Sequence, residues 1–480
     1  MFQRNNFFLI FIQLNEDDFY FIMKYILYFL LFFTCSFSSN AKDIYVAKSG
    51  NDQHSGSLNN PFATLYRAQQ EARKLKNDPV NIYIRKGDYH LLKPLVFADT
   101  DSREAHAGLR IMPYKNENVT IKGSQKLDLK WKLKNGIYQA FVTDKSLKFD
   151  ELYVNGKLMH MARYPNYEEG KLPFGGASAD AISQERVKKW KNPKNAYLHA
   201  MQSSMWGGFS FLITGKENDS TLKMEGGWQN NRSAIHIQYR FVENVFEELD
   251  TLNEWFFNRK QQRLYLKSNQ NPSQLVVETP QIEMLIEFKG NKSPVKDITL
   301  QGLKFSHTLR TFMKNKEPLL PSDWTIYRKG AITLENAENI KSEKCELTDL
   351  GGNAIVFSYF NKNNTLSGSH IYNVGSISPD LKLKAKKASI PKILPLIWKT
   401  DDTYDFAGVR VKNLSTLAER SATGMATETG VLVLDVSANS LMSGNIKPND
   451  VILDIANFPI ANIKNLVDAR LNLQARKTAL

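Results

Sequence analysis

The stretch that decides the fold runs from Gly330 to Gly375 and contains two copies of one pattern. The first copy reads GAITLENAENIKSEKCELTDLG, and the second reads GNAIVFSYFNKNNTLSGSHIYNVG. Each copy holds short apolar runs separated by corners rich in Asn or Gly, which is typical of strands between turns. A period of about two dozen residues is typical of solenoids, where a unit buries its apolar face only against stacked neighbours.

A third copy, ITLQGLKF at 298–305, lies upstream of these two. We therefore predict a mainly β protein built on a right-handed parallel β-helix; the alternative is a β-sandwich with two similar hairpins. In the β-helix register, Leu347 and Ile371 should stack inside the coil and be buried on all sides. Asp349 and Asn373 should likewise stack at equivalent corners on its surface.

Composition limits the classes of partner. The 480-residue chain carries a formal charge of +14, which would suit an acidic polysaccharide, a membrane surface or nucleic acid. Its lysines are scattered and no nucleic-acid motif is present, so we expect no nucleic-acid partner. Only Cys35 and Cys345 occur, which excludes a fold held by several disulfides but does not exclude export.

The N-terminal region has the pattern of an export signal. Residues 23–41 read MKYILYFLLFFTCSFSSNA, with a basic start, an apolar run and a small-residue cleavage site. The apolar run is shorter than the roughly 20 residues that a membrane span needs. We predict a signal peptide at 23–41, a mature chain that begins at Lys42, and a secreted or periplasmic (cell-envelope) location. Residues 1–22 are interpreted as an extension wrongly placed before the true start at Met23.

The next region carries a resemblance to a known family. Its segments YVAKSGND, NPFATLYRAQQEA and VNIYIRKGDYHLLKPLVFADTDS are followed by ELYVNGKLMHMARYPN at 151–166 and NEWFFNRKQQRLYLKS at 253–268. Together they resemble bacterial pectate-lyase-like β-helix glycoside hydrolases over most of 43–375. One departure is Arg103, where the family has Gly after Asp-Ser. The segment at 253–268 is interpreted as a hairpin.

The resemblance implies a domain order. It consists of an N-terminal cap with the first β-helix strands at 42–122, an inserted β-domain at 123–285 and β-helix coils at 286–375. The inserted region is rich in tryptophan, with Trp131, Trp190, Trp206, Trp228 and Trp255. These indoles would either stack on sugar rings or form the core of the inserted domain.

The C-terminal part changes character. Residues 376–405 are interpreted as a linker, and GVLVLDVSANSLMSGNIKPNDVILDIANFPIANIKNLVDARL within 406–480 resembles a bacterial PDZ domain, a small α+β fold. The resemblance implies a peptide-binding loop at Phe406, Gly408 and Val409, which would hold the C-terminal carboxylate of a partner protein.

The chemistry has few candidates. No zinc motif, nucleophile elbow, P-loop or dinucleotide fingerprint is present. A glycosidase needs two carboxylates facing each other across the sugar, whereas a β-helix lyase needs a Lys or Arg base with calcium. We name Asp349, Glu335, His370 and His307 as catalytic candidates. The alternative is that Asp349 caps its own turn and that the histidines are ordinary surface or rim residues. We expect no cofactor, except calcium if the chain is lyase-like.

The sequence alone does not decide whether the chain is an enzyme. In the resembling family the coils continue well beyond the equivalent of Gly375, and the acidic catalytic residues are expected there. We interpret the gap as an internal deletion, either genuine or from a faulty gene model, and we expect the chain as given to have little or no hydrolase activity. The first hypothesis is an exported carbohydrate-active, glycoside hydrolase-like protein acting on a complex polysaccharide. The alternatives are a non-catalytic carbohydrate-binding remnant and an envelope scaffold that binds protein C-termini.

Overall fold

The computed structural model describes residues 41–232, 234–320, 323–375 and 403–478, apart from 426, 441 and 457. The predicted signal peptide up to residue 40 and most of the predicted linker lie outside these residues. The described chain is mainly β and divides into two units. One unit comprises 41–176, 244–312 and 328–375, and the other comprises 177–243, 313–327 and 403–478. No helix in the described part is long and apolar enough to cross a membrane.

Three sheets of parallel strands form the main body of the first unit. Sheet A has the strand order Lys42–Val46, Val80–Ile84, Leu109–Pro113, Ile298–Gln301, Lys341–Glu343, Thr365–Ser367. Sheet B has the order Gly87–His90, Val119–Lys122, Lys304–Ser306, Glu346–Leu350, His370–Val374. Sheet C comprises Leu95–Phe97, Ile286–Lys289, Gly330–Glu338 and Asn353–Lys362, with Val295–Lys296 also paired to Gly330–Glu338. The two copies in 330–375 contribute neighbouring strands to every sheet, as the repeat predicted.

The core of this unit lies where the inward side chains of the three sheets meet. In sheet B, Tyr89, Ile121, Phe305 and Leu347 are aligned by register and are all buried. The predicted pairing of Leu347 with Ile371 is confirmed. The expectation that Ile371 is buried on all sides is wrong. It is only partly buried, because its strand is an edge strand of sheet B and has a strand partner on one side only.

The helix Leu65–Lys74 packs on this core through Leu65, Ala68 and Ala72. Their spacing of three and four residues in the sequence predicts that they share one helical face. Its N-cap is Thr64, whose side chain accepts a hydrogen bond from the Arg67 amide. From the sequence, Asn60 followed by Pro61 is the expected start of this helix, with Asn60 as the cap. Asp52 explains the difference, because its carboxylate accepts hydrogen bonds from the Thr64 hydroxyl and amide and so fixes the chain entry there.

An eight-stranded, mainly antiparallel sheet completes the first unit. Its strand order is Ser124–Lys126, Val277–Pro280, Leu152–Val154, Lys157–Met161, Glu254–Asn258, Arg263–Leu266, Ile137–Phe141, Lys132–Lys134. A further short strand is Arg163–Tyr164. The hairpin predicted at 253–268 is confirmed by the antiparallel pairing of Glu254–Asn258 with Arg263–Leu266. Trp255 lies in the core of this sheet, where its indole N–H donates to the Met159 carbonyl at 3.0 Å.

Glu254 makes this sheet sensitive to pH. It is buried and accepts hydrogen bonds from the amides of Arg163, Asp250 and Thr251, but burial dominates and raises the pKa of Glu254 to about 7. The ordinary pKa of a glutamate side chain is 4.5. Between pH 4.5 and about pH 7, Glu254 is therefore neutral in the folded protein but ionised in the unfolded chain. Stability should therefore fall as pH rises through this window, by on the order of 3 kcal/mol.

Urea denaturation from pH 4 to 8 measures this effect. We expect Glu254→Gln to lack this fall in stability, whereas Glu335→Gln, a matched change elsewhere in the unit, should keep it. An unchanged pH profile in Glu254→Gln would mean that Glu254 is ionised in the folded protein.

The second unit contains an antiparallel sheet with the strand order Ile235–Glu243, Tyr197–Gln202, Gly208–Asn218, Thr221–Gly226. The short helix Gln184–Lys189 precedes it. Trp190 is fully buried, whereas the Trp206 side chain is 61% exposed. The tryptophans therefore fall into two groups. Trp190 and Trp255 are core residues, and only an exposed ring such as Trp206 is available for stacking on a ligand.

Residues 403–478 form a small α+β arrangement. Its sheet has the order Thr403–Phe406, Val409–Asn413, Val431–Val436, Val451–Ile452, and a second pair is Asp454–Ile455 with Phe458–Pro459. The helices are Leu417–Thr423 and Ile463–Thr478. Asn449 has φ 76°, a left-handed conformation that Asn adopts more readily than most other non-Gly residues.

The predicted peptide-binding loop is a two-residue hairpin turn. Phe406 pairs with Val409, and Ala407 and Gly408 between them both have positive φ. The Gly408 amide donates to the Asp405 carboxylate at 2.9 Å, so in this conformation it is not free for a peptide carboxylate. Phe406 and Val409 are buried in the local core. Peptide binding at Phe406, Gly408 and Val409 stays a prediction.

Candidate functional site

The outward side of sheet B carries a row of polar side chains. Asp88, Thr120, Lys304, Glu346 and His370 are aligned by register, one on each strand. Their neighbours one position along form the buried row described above. Since side chains alternate across a strand, the polar row faces outward. We call this outward side the polar face of sheet B.

Glu346 is the best-connected carboxylate on the polar face. Lys304 Nζ lies 2.8 Å from Glu346 Oε1, and the Tyr372 hydroxyl donates to the same oxygen. Partial burial opposes ionisation, but the hydrogen bonds from Lys304 and Tyr372 outweigh it and lower the pKa of Glu346. The side chain is 37% exposed. Glu346 is thus an ionised carboxylate that solvent, or a ligand, can reach.

Three residues turn the chain at the end of this face. His307, Asp349 and Asn373 have φ of 57°, 52° and 50°, so each adopts a left-handed conformation. Asp349 and Asn373 are the last residue but one of their strands, and His307 directly follows its strand. The His307 amide donates to the Asp349 carbonyl at 2.8 Å. The Asn373 side-chain amide and the Thr348 hydroxyl donate to the Asp349 carboxylate at 3.3 and 3.0 Å. The predicted stacking of Asp349 and Asn373 is therefore confirmed.

Beside the corner lies a cluster of five titratable residues. This charged cluster comprises Asp88, His90, Lys122, Glu278 and His307. Lys122 Nζ lies 2.7 Å from Asp88 Oδ2 and 3.0 Å from Glu278 Oε2. His307 Nδ1 lies 3.2 Å from the same Glu278 oxygen. Glu278 is completely buried, so its carboxylate depends on these partners.

One ring stack and one histidine hydrogen bond hold the charged cluster in place. The Tyr153 ring stacks on the His307 imidazole with centroids 3.7 Å apart, and its hydroxyl donates to the Asp349 carbonyl. His90 Nδ1 lies 2.8 Å from the Ser124 carbonyl, so this nitrogen must carry a proton and donate it. When His90 is neutral, its Nε2 is therefore an acceptor.

Burial and hydrogen bonding act in opposite directions on the pKa values of the charged cluster. Burial alone would raise the pKa of Glu278, but hydrogen bonds from His307 and Lys122 lower it to about 2. Burial lowers the pKa of both His90 and His307. Glu278 is therefore an anion, and His307 acts as a neutral donor through Nδ1–H. This arrangement keeps the Glu278 carboxylate ionised and in a fixed position. A carboxylate with so low a pKa is a poor general acid.

The four sequence candidates do not form one site. Asp349, His370 and His307 lie on strands of sheet B or at their corners, but Glu335 lies in sheet C, paired with Lys289 and Ser358. His307 is not a rim residue, because it is only 2% exposed. His370 is exposed, beside Glu346 in the register.

Sequence reasoning missed Glu346 and most of the charged cluster. Asp88 and His90 flank the buried Tyr89, so the alternation in GDYH was a usable signal for an outward pair. Glu278 offered no such signal. It reaches sheet B only because Val277–Pro280 pairs with Ser124–Lys126, which continues the chain from the sheet B strand Val119–Lys122.

The comparisons with known proteins concern the fold. No protein-family model matches the chain. The uncharacterized protein YwoF of Bacillus subtilis (strain 168) is 28% identical over 141 residues, which is 26% of this chain and 28% of that protein. A solved glycoside hydrolase matches with a TM-score of 0.57 and 20% identity, over 68% of this chain and 65% of that one.

A solved rhamnogalacturonan lyase also aligns, over 70% of this chain and 43% of that one, but with a TM-score of 0.28 and 12% identity. That similarity is too low to support an argument. The chain spans under two thirds of the length of each of these proteins. It shares its fold with a solved glycoside hydrolase.

Proposed function

We propose that this chain is a carbohydrate-active, glycoside hydrolase-like protein that binds a polysaccharide along the polar face of sheet B. The observation that carries the proposal is a row of polar residues in register, one on each strand of sheet B, which repeats at the spacing of parallel strands, about 4.8 Å. The row comprises Asp88, Thr120, Lys304, Glu346 and His370. A regular row of this kind matches an extended, repeating ligand. The fold shared with a solved glycoside hydrolase supports the same class.

The side chains on this face suggest roles in hydrolysis. Glu346, held ionised by Lys304 and Tyr372, suits the base or nucleophile, and Asp349 at the adjacent corner is the second carboxylate that glycoside hydrolysis needs. A lyase is disfavoured, because Lys304 is paired with Glu346 and is not a free base. The formal charge of +14 favours an acidic polysaccharide.

We also propose an architecture and a cellular location for the whole chain. Sheets A, B and C are taken as the faces of a right-handed parallel β-helix, and the eight-stranded sheet as part of an inserted β-domain. Residues 406–480 are taken as PDZ-like, and the chain as exported to the cell envelope or beyond. The antiparallel sheet and the two helices of 403–478 support the PDZ-like assignment, and the pattern of residues 23–41 supports export.

Reducing-sugar release from a panel of acidic and neutral polysaccharides tests the activity. The missing later coils predict a low wild-type rate; on any polysaccharide that the wild type hydrolyses, we expect Glu346→Gln to lower the rate by about 100-fold or more, the range for loss of an acid–base group. Glu343→Gln is the matched control, because it makes the same change on the strand Lys341–Glu343 of sheet A, and it should keep the wild-type rate. Equal losses in both variants would remove Glu346 from the reaction.

Binding measured on the same panel separates hydrolysis from binding alone. The side-chain hydrogen bonds that tie Glu346 and Asp349 to neighbouring strands also suit a carbohydrate-binding face without turnover. If the wild type binds a polysaccharide but releases no reducing ends, and Glu346→Gln weakens that binding, the non-catalytic alternative is correct. No binding to any acidic or neutral polysaccharide would contradict both.

A further inference from the structure

The contact between His90 and Glu278 contains two buried acceptors that face each other. His90 Nδ1 donates to the Ser124 carbonyl, so Nε2 offers a lone pair. That nitrogen lies 3.5 Å from Glu278 Oε1, and neither atom has a hydrogen-bond partner. The Glu278 side chain is fully buried. Buried acceptors without a donor are costly, so something that carries positive charge should lie between them.

A shared proton fits this spacing poorly. A hydrogen bond between an imidazolium and a carboxylate is typically about 2.7–2.9 Å long, well below the observed separation. A metal ion fits better: with bonds of about 2.0–2.1 Å, ligand atoms at this separation would subtend roughly 115° at the ion, close to the tetrahedral angle. Asp88 supplies a third donor, since its carboxylate, His90 and Glu278 offer ligand atoms within 4.8 Å of one another.

We propose that Asp88, His90 and Glu278 bind a divalent transition-metal ion, most suitably Zn²⁺. The imidazole ligand disfavours calcium and magnesium, which prefer oxygen donors only. The ion would join the first strand of sheet B, Gly87–His90, to strand Val277–Pro280 of the eight-stranded sheet. This site shares Asp88 with the polar face of sheet B but uses neither Glu346 nor Asp349, so it goes beyond the proposed function and does not depend on it.

The neighbouring charges are consistent with a bound cation. Lys122 contacts Asp88 Oδ2 and Glu278 Oε2, and therefore leaves Glu278 Oε1 on the side that faces His90. Two carboxylates meet a single ammonium group here, so one negative charge is not matched by Lys122. The Asp88 side chain is 40% exposed, which gives an ion access from solvent.

Equilibrium dialysis of the full chain tests the site. Protein treated with chelator is dialysed against zinc or calcium, and bound metal is measured by mass spectrometry. We expect about one zinc ion and no calcium per chain. His90→Gln and Asp88→Asn should each weaken zinc binding by about tenfold or more, as expected for loss of a metal ligand.

His106→Gln is the matched control, because it removes an exposed histidine outside the cluster and should bind zinc like the wild type. Circular dichroism checks that each variant is folded; if His90→Gln unfolds, Asp88→Asn decides the result, since its side chain is partly exposed. The proposal is overturned if the wild type binds no zinc, if calcium binds in its place, or if a folded ligand variant binds zinc as tightly as the control.

Discussion

Replacing Lys122 with methionine should lower the free energy of unfolding by about 3–5 kcal/mol, the cost of leaving a buried charge without its partner. Lys122 is buried and its ammonium lies between Asp88 and Glu278. Without it, the fully buried Glu278 keeps only the neutral donor His307, while the acceptor His90 Nε2 faces its other oxygen. The ion pair need not be a large net source of stability for its breakage to be costly.

Lys304→Met is the matched control for this prediction. It makes the same substitution on the same sheet and breaks an ion pair of similar length, 2.8 Å, but Lys304 and Glu346 are each 37% exposed. Exposed pairs contribute about 0–1 kcal/mol, so the difference between the variants measures the effect of burial. Urea denaturation in the presence of chelator gives both values, since no metal ion can then replace the ammonium.

A double variant makes the cause of the loss explicit. Adding Glu278→Gln to Lys122→Met removes the unpaired charge, so we expect part of the lost stability to return, with a coupling energy of about 0.5–3 kcal/mol. If Lys122→Met costs no more than Lys304→Met, Glu278 is not a buried anion and the charged cluster is not as the structure describes it. If the double variant is as unstable as the sum of the single ones, the two side chains act independently.

Much of sheet B was predictable from sequence because the repeat period of the chain determines which strands pair and in which register. The repeat in 330–375 gave the pairing of Leu347 with Ile371 and of Asp349 with Asn373, since a fixed period brings equivalent residues into register. The spacing of Leu65, Ala68 and Ala72 identified a helix for the same reason. Short, regular periods leave a clear signal in a single sequence.

The charged cluster was not predictable, because its members come together through tertiary pairing. Glu278 lies on the strand Val277–Pro280 of the eight-stranded sheet, and its carboxylate contacts Lys122 and His307. Nothing in VVETP distinguishes a buried anion from an ordinary exposed Glu. His307 was expected at the surface, but Tyr153 stacks on it and helps to bury it. A single sequence indicates which side chains point away from the core of a sheet. It does not indicate which other segments of the chain pack on those side chains and bury them.

The turn at Ala407 and Gly408 illustrates a different limit. Resemblance to a family assigned a role to Phe406, Gly408 and Val409, but the described turn is stabilised by Asp405, whose carboxylate accepts from the Gly408 amide. A short Gly-containing segment between two strands fits both a tight hairpin and a ligand loop. Only the hydrogen-bond partner of the amide separates the two.

Replacing Leu347 with alanine should cost about 2–5 kcal/mol of unfolding free energy, the usual range for a large-to-small change in a close-packed core. Leu347 is completely buried and lies in register between Phe305 and Ile371 on the inward side of sheet B. The cost has two parts: the apolar surface that is no longer removed from water, and the cavity that neighbouring side chains cannot refill.

Ile371→Ala provides the comparison within the same row. Ile371 is only partly buried, so its truncation removes less buried surface and should cost clearly less than Leu347→Ala. Urea denaturation followed by tryptophan fluorescence measures both. A loss below about 0.5 kcal/mol for Leu347→Ala, typical of surface positions, would place Leu347 outside the core. Glu346 and Leu347 are consecutive residues and point to opposite sides of their strand, so that result would also place Glu346 on the inward side. The polar face on which the proposed carbohydrate site depends would then not exist.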